Sequence, residues 1–261
     1  MTPSVTEYPP PAGLAPFVEA FWSRPAARSA ETLGPQRILP DGCLDIVVGS
    51  REAIVVGAMT RALVIPPTDV DGMIGVRFRP GMATAFLGIP AAALTDDRAS
   101  LEAVWPDGKQ VAEHVGSALG TARAISRLAG TLTDRLSRVP TIPPDLLMAV
   151  ERIMARGGRI DVSRLAASMG VTRQHLARRF AAYVGVPPKT FCRVVRLWSV
   201  LRSTTDGRVN WAGLAVDLGY SDQSHLVTEF RSLTGLTPGR WIASRRAGSK
   251  SSSRPRSGSL L

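Results

Sequence analysis

Residues 214–241 read LAVDLGYSDQSHLVTEFRSLTGLTPGRW, and the stretch spells two helices joined by a tight turn. The first helix stops at Gly219, which takes the left-handed backbone a helix end needs. Ser221 stands where an N-cap belongs, its hydroxyl placed to accept from the free amides of the next helix. In that second helix Leu226, Phe230 and Leu233 fall at i, i+4 and i+7 and form one buried stripe. Gln223, Ser224, Val227, Thr228 and Arg231 are left on the outer side. A short helix, a glycine turn and a second helix with a polar outer face predict a helix-turn-helix.

The pattern occurs twice. Leu165-Ala166-x-x-x-Gly170 is followed by His175-Leu176-x-x-x-Phe180, then Gly185 and Pro188; Leu214-Ala215-x-x-x-Gly219 is followed by His225-Leu226-x-x-x-Phe230, then Gly235 and Pro238. The offset is 49 residues before the turn and 50 after it, so the second copy has one extra turn residue. Tandem copies of a two-helix unit account for so many matches in register. In copy one, Asp161 and Thr172 are the expected caps, and Leu176, Phe180 and Tyr183 the buried stripe. Thr190 to Ser203 predicts a helix linking the copies, about 20 Å long at the usual rise.

This tandem resembles the DNA-binding half of AraC/XylS-type transcriptional regulators over roughly Asp145 to Arg245, most specifically in LGYSDQSHL, Phe230 and GLTP. One departure is Thr228, where that family usually carries a basic residue. A weaker resemblance covers the N-terminal half: LPDGCLDIVV and GVRFRPG are similar to stretches that precede this module in some such regulators, in a domain without a settled function. The resemblance implies base reading by Arg173, Gln174, Ala177 and Arg178 of the first recognition helix. In the second it implies Gln223, Ser224 and Thr228. Arg pairs with guanine O6 and N7, Gln with adenine, and Ala meets a thymine methyl. Thr172, Arg193, Arg196, Ser221, Arg231 and Arg240 are expected on phosphates, which position without specifying.

Charge supports the same partner. Residues 1–140 hold 13 Arg plus Lys against 14 Asp plus Glu, whereas residues 141–261 hold 19 against 7. The basic half is the half with the repeat, and such a field favours a polyanion. Only two cysteines, Cys43 and Cys192, occur in 261 residues, which excludes a disulfide framework and suits a reducing cytoplasm. No secretory signal opens the sequence, and its longest apolar-rich run, Gly81 to Leu94, is too short for a bilayer and contains Pro90.

The expected fold class is α+β. A small, mainly antiparallel β domain with following helices precedes an all-α domain of two helix-turn-helix units joined by a linking helix. Between Gln36 and Pro80, short runs of Val, Ile and Leu (46–48, 54–56, 63–65, 74–76) alternate with Asp-Gly, Gly-Ser and Pro-Pro. Phe17 to Trp22 reads as a strand or a short helix. After Ile89 the pattern turns helical, with Gly116 and Gly120 breaking the stretch from Gln110 to Arg138. Three prolines in Val139 to Pro144 mark the domain boundary. The expected division is 1–140, a sensor or regulatory domain; 141–247, the DNA-binding domain; and 248–261, a disordered Ser/Gly/Arg tail.

In the N-terminal half Asp41, Cys43, Arg77 and Arg79 are the candidates for an effector site. Gly42 supplies the turn between Asp41 and Cys43. Cys43 lies near two carboxylates, which raise a thiol pKa, so it reads as a buried small residue. His175 and His225 occupy equivalent repeat positions beside a core Leu, and with His114 remote no metal constellation emerges. The expectation is a cytoplasmic, non-enzymatic regulator with no cofactor and no membrane. Its partners would be double-stranded DNA and RNA polymerase, with a small-molecule effector, a second copy of the chain, or both. Two alternatives are an alkylation-damage response protein with Cys43 as acceptor, for which the four-cysteine zinc site is missing, and a purely architectural DNA binder.

Overall fold

The computed structural model describes residues 5–26, 36–50, 52–65, 72–204 and 209–247. The expected tail at 248–261 lies outside these residues. Eight strands are formed among them: β1 Thr6–Tyr8, β2 Val18–Arg24, β3 Gln36–Ile38, β4 Asp45–Val48, β5 Ala53–Val56, β6 Leu63–Ile65, β7 Met73–Phe78 and β8 Arg98–Ser100. Six of them make one antiparallel sheet in the order β1-β2-β7-β4-β5-β8, while β3 and β6 pair apart as a two-stranded ribbon. The expected antiparallel β domain is therefore present, and Phe17 to Trp22 enters a strand rather than a helix.

Register decides which residues share a face. Phe21 lies opposite Val76, and Val76 opposite Ile46, which in turn lies opposite Val55. These four are fully buried, in one core with Leu128 and Leu132. Helix α4 Ala122–Arg135 brings those leucines and α3 Gly108–Gly116 adds Val111 and Val115, the two helices being separated at Gly120 with its positive φ of 81°. Trp22 crosses Gly75 on the opposite face, where a Cβ on Gly75 would stand 2.4 Å from the indole ring. A strand that is buried on both faces tolerates no side chain there. Two short helices, α1 Ala83–Leu87 and α2 Leu101–Val104, and a 3-10 turn at Ala91–Leu94 connect the sheet to the helices.

In the C-terminal half the described elements are all helices. It comprises α5 Pro144–Ala155, α6 Val162–Ser168, α7 Arg173–Val184, α8 Pro188–Ser203, α9 Trp211–Asp217, α10 Gln223–Thr234 and α11 Pro238–Ala247. The repeat corresponds to α6–α7 and α9–α10, joined by α8. One sequence expectation needs amending: Val184, fully buried, completes the stripe of α7, while Tyr183 is only partly buried.

The core does not respect the proline-rich boundary. Leu165, Leu176, Phe180 and Val184 of the first repeat and Phe191 of the linking helix belong to the same apolar cluster as Phe21, Val55 and Phe78 of the sheet. A second cluster gathers Leu197, Trp198 and Leu201 of the linking helix with Leu226, Phe230 and Leu233 of the second repeat, and Leu39 of the N-terminal half joins it. Each such side chain contributes about 1.5–3 kcal/mol when fully buried, so cores shared in this way couple the two halves.

Candidate nucleic-acid interface

Local capping fixes the first recognition helix. Asp161 accepts from the amides of Ser163 (2.8 Å) and Arg164 (3.2 Å), which starts α6. Gly170, at φ 67°, makes the turn, and Thr172 Oγ1 accepts from the His175 amide at 3.1 Å to start α7. With Leu176, Phe180 and Val184 turned inward, Arg173, Gln174 and Arg178 are exposed and Ala177 is half-buried. Arg179, on the flank, is ion-paired with Asp145 of α5 and so holds α7 against it.

The second unit repeats this with one substitution of role. Asn210 caps α9 by accepting from Gly213 N at 3.1 Å, and Gly219 turns the chain at φ 75°. The N-cap of α10 is Asp222, whose carboxylate accepts from the His225 amide at 2.8 Å, and not Ser221 as its position suggested. Asp222 reaches the amide three residues on, the geometry an N-cap requires. Ser221 Oγ instead lies 3.0 Å from His225 Nδ1, and the His225 ring meets Tyr220 edge-on. Gln223, Ser224 and Thr228 are exposed on the outer face, and Arg231 and Arg240 are exposed as well.

Two residues expected on phosphates are engaged elsewhere. Arg193 Nε and Arg196 Nη2, both on α8, each donate at 3.1 Å to the carboxylate of Glu229, which is 7% exposed on the inner side of α10. Arg193 also donates to Ser232 Oγ at 2.7 Å, and the Arg196 guanidinium lies 4.9 Å from the centre of the Tyr220 ring. Burial and the neighbouring Glu229 push the Tyr220 phenol up. A buried carboxylate is tolerable only when paired and bonded, and these two arginines supply both. They therefore lock α10 onto the linking helix. Among the described residues, Arg173, Arg178, Arg231 and Arg240 form no ion pair.

The candidate effector residues cluster in the sheet, with their charges already answered. Arg77, whose side chain is 5% exposed, has Glu7 and Asp41 at 3.4 Å and Asp45 at 3.6 Å. Trp22 Nε1 donates to Asp45 at 3.0 Å. Arg79 donates to the Ala15 carbonyl at 2.9 Å and faces Glu19 at 3.6 Å. Three carboxylates around one buried guanidinium leave no excess positive charge for an acidic effector. Asp41 Oδ1 accepts from the Cys43 amide at 3.0 Å, and Gly42 holds φ 75° between them. Cys43 is buried, and burial together with Asp41 pushes its thiol well up, so it is a poor nucleophile.

Two helix-turn-helix units in tandem, each presenting exposed long polar side chains from its second helix, define a tandem helix-turn-helix protein. Residues 165–244 match a family described as "Helix-turn-helix domain", and residues 6–100 one described as "Domain of unknown function (DUF6597)". Putative AraC-like transcription regulators from Streptomyces antibioticus and Streptomyces lividans are each 33% identical over 78 residues, 30% of this chain and 26% of theirs. The match thus spans about a quarter of the length of these curated relatives. Over one stretch the chain is thus similar to putative AraC-like transcription regulators, and over residues 6–100 to a domain of unknown function. Among solved structures it is similar to ToxT from Vibrio cholerae, at 10% identity, a TM-score of 0.40 and coverage of 93% of this chain and 94% of that one. Another ToxT structure, bound to (E)-4-(8-methylnaphthalen-1-yl)but-3-enoic acid, gives 10% identity, a TM-score of 0.41 and coverage of 93% and 95%. No helix among the described residues is long and apolar enough to cross a membrane.

Proposed function

We propose that this protein is a sequence-specific DNA-binding transcriptional regulator of the cytoplasm that reads two successive major grooves with α7 and α10. One observation carries the reading. The outward faces of both helices hold exposed donors (Arg173, Gln174 and Arg178; Gln223, Ser224 and Thr228), while a single helix, α8, is packed against both units. Side chains of this kind read base edges, and successive grooves on one side of the duplex recur about every 34 Å, or 10.5 bp. Ala177 would add apolar contact in the first groove. Thr172, Ser221, Arg231 and Arg240 flank these faces and would hold phosphates; Arg193 and Arg196 are left out because Glu229 occupies them.

In this reading residues 141–247 form the DNA-binding domain and residues 1–140 the regulatory one. The regulatory half would tune the first through a small molecule or a second copy, with RNA polymerase as the downstream partner. The damage-response alternative has no support in Cys43, whose thiol is buried and pushed up. Selection of bound duplexes from a random pool, followed by footprinting, tests the reading. The expected result is a site of roughly 20 bp made of two unlike half-sites, with affinity falling steeply with salt. A single protected patch of about 6 bp, or binding that ignores salt, refutes it.

A further inference from the structure

The C-terminal ends of both recognition helices are held by groups from the N-terminal half. Helix α7 ends in Gly185, at φ 88°, whose carbonyl accepts from Thr95 Oγ1. A Cβ on Gly185 would stand 2.8 Å from the Ala58 Cβ and 3.4 Å from the Ala91 carbonyl, so this end is pressed against the sheet domain. Helix α10 ends in Gly235, at φ 75°, and the carbonyl just before it, of Thr234, accepts from Arg37 Nη1 at 2.8 Å. The Ala62 amide donates to the Leu233 carbonyl at 2.7 Å. Gly185 and Gly235 are equivalent in the repeat, so the two grips fall on equivalent places.

The grips come from different parts of the N-terminal half. Ala58 follows β5, and Ala91 and Thr95 precede β8, the edge strand of the six-stranded sheet. Arg37 lies in β3 and Ala62 directly precedes β6, so the second grip belongs to the separate ribbon. Between them the linking helix is held too: Trp198 Nε1 donates to the Pro40 carbonyl at 2.8 Å, and Phe191 packs against Gly42. The last carbonyls of a helix have no partner within it and carry the negative end of the dipole. Arg37 therefore meets α10 at its most favourable place for a cation, and it does so without touching either outward face.

We propose that Arg37 and Thr95 are positioning residues for recognition: by capping α10 and α7 respectively, they let the N-terminal half set the spacing at which the two helices enter successive grooves. This rests on the DNA-binding reading above. Its consequence is specific, because base preference within each half-site belongs to the outward side chains, whereas the allowed separation of half-sites belongs to the grips. Loosening the ribbon releases the end of the second helix alone, while Glu229 still ties its body to α8.

The test uses the full chain and the two selected half-sites, placed at centre-to-centre separations from about 8 to 13 bp around one helical turn. The wild type should prefer one separation. Arg37→Ala and the neutral Arg37→Gln should lower that preference roughly tenfold, the size of one lost hydrogen bond to a charged group, and leave base preferences within each half-site unchanged. Arg37→Lys should keep most of the spacing preference, and Thr95→Val should loosen it from the first helix's side. A thermal melt shows that each variant is folded, and should Arg37→Ala fail to fold, Arg37→Gln and Thr95→Val decide. Equal loss of affinity at all separations, or an unchanged spacing profile, overturns the proposal. Failure of the wild type to bind any selected duplex refutes the DNA-binding reading instead.

Discussion

Replacing Glu229 with Leu should destabilise the second helix-turn-helix unit more than any change on its outward face. The carboxylate is 7% exposed and accepts from both Arg193 and Arg196 at 3.1 Å. Removing one partner of a buried pair costs about 3–5 kcal/mol, because the other charge is left without compensation. Here the stranded side chains are 31% and 17% exposed, so part of their charge can turn to water and the lower end, about 3 kcal/mol, applies. At roughly 2–4 °C per kcal/mol for a chain of this size, the melting temperature should fall by about 6–12 °C. Trp198 and Trp241 lie in the core around Leu226 and Phe230, so part of the tryptophan fluorescence change during denaturant and thermal unfolding comes from this region. The double variant Glu229→Leu/Arg196→Met should recover more than half of the loss, since a buried pair is often replaceable by apolar groups of similar size. A loss below about 1 kcal/mol, or a double variant less stable than the single one, refutes the pairing argument. So does an Arg196→Met variant that keeps full stability and loses only DNA affinity, because that is how a phosphate contact behaves.

Three further outcomes are expected. Arg178→Ala should relax base preference at one position of the first half-site by about 1–3 kcal/mol, while Thr228→Arg should sharpen it in the second; Arg231→Ala should weaken binding evenly across sequences, and base-by-base selection profiles check all three. Cys192, pushed up by burial to about 11, keeps its proton in the folded chain at pH values where an ordinary thiol with a pKa of 9.0 has lost it. The associated stability is present below pH 9.0 and disappears as pH rises through 11, a loss that Cys192→Ala should reduce in alkaline unfolding experiments. Rapid labelling of Cys192 in the native state at pH 9 would contradict this. Gly42→Ala should cost about 3 kcal/mol, because a side chain at φ 75° is strained and its Cβ would stand 2.4 Å from the Phe191 ring; a calorimetric melt unchanged from wild type would show that the contact yields freely.

The sequence revealed most where structure is local. The caps Asp161 and Thr172, the turn glycines Gly170 and Gly219 and the buried stripes are all set by neighbours within one or two helical turns. The strands at 45–48, 53–56, 63–65 and 73–78 were visible from their Val and Ile content for the same reason. Less was legible where a partner lies far along the chain. Arg193 and Arg196 resemble free cations until Glu229, more than thirty residues later, is brought beneath them. Arg77 looked available because Glu7 and Asp41 reach it only through strand pairing. Ser221 and Asp222 are both good N-caps, and the extra turn residue of the second copy shifts the choice by one. Strand β8, only three residues long, has no pattern of its own and exists through its pairing with β5. The prolines at 139–144 mark a change in composition, whereas the apolar core runs past them.

The strand order carries a consequence for how the chain is made. Trp22 pairs with Gly75, 53 residues further along, so the sheet cannot close until most of the N-terminal half has been synthesised. Such distant pairings are slow to form. On the ribosome the sheet emerges first, and the surface around Gly42, Ala58 and Ala91, which Phe191 and Gly185 later cover, stays bare in the interval. A nascent chain halted near residue 160 would present that apolar face to other chains, which makes the stretch from α7 to α8 the protector of the N-terminal half during translation as well as its partner afterwards.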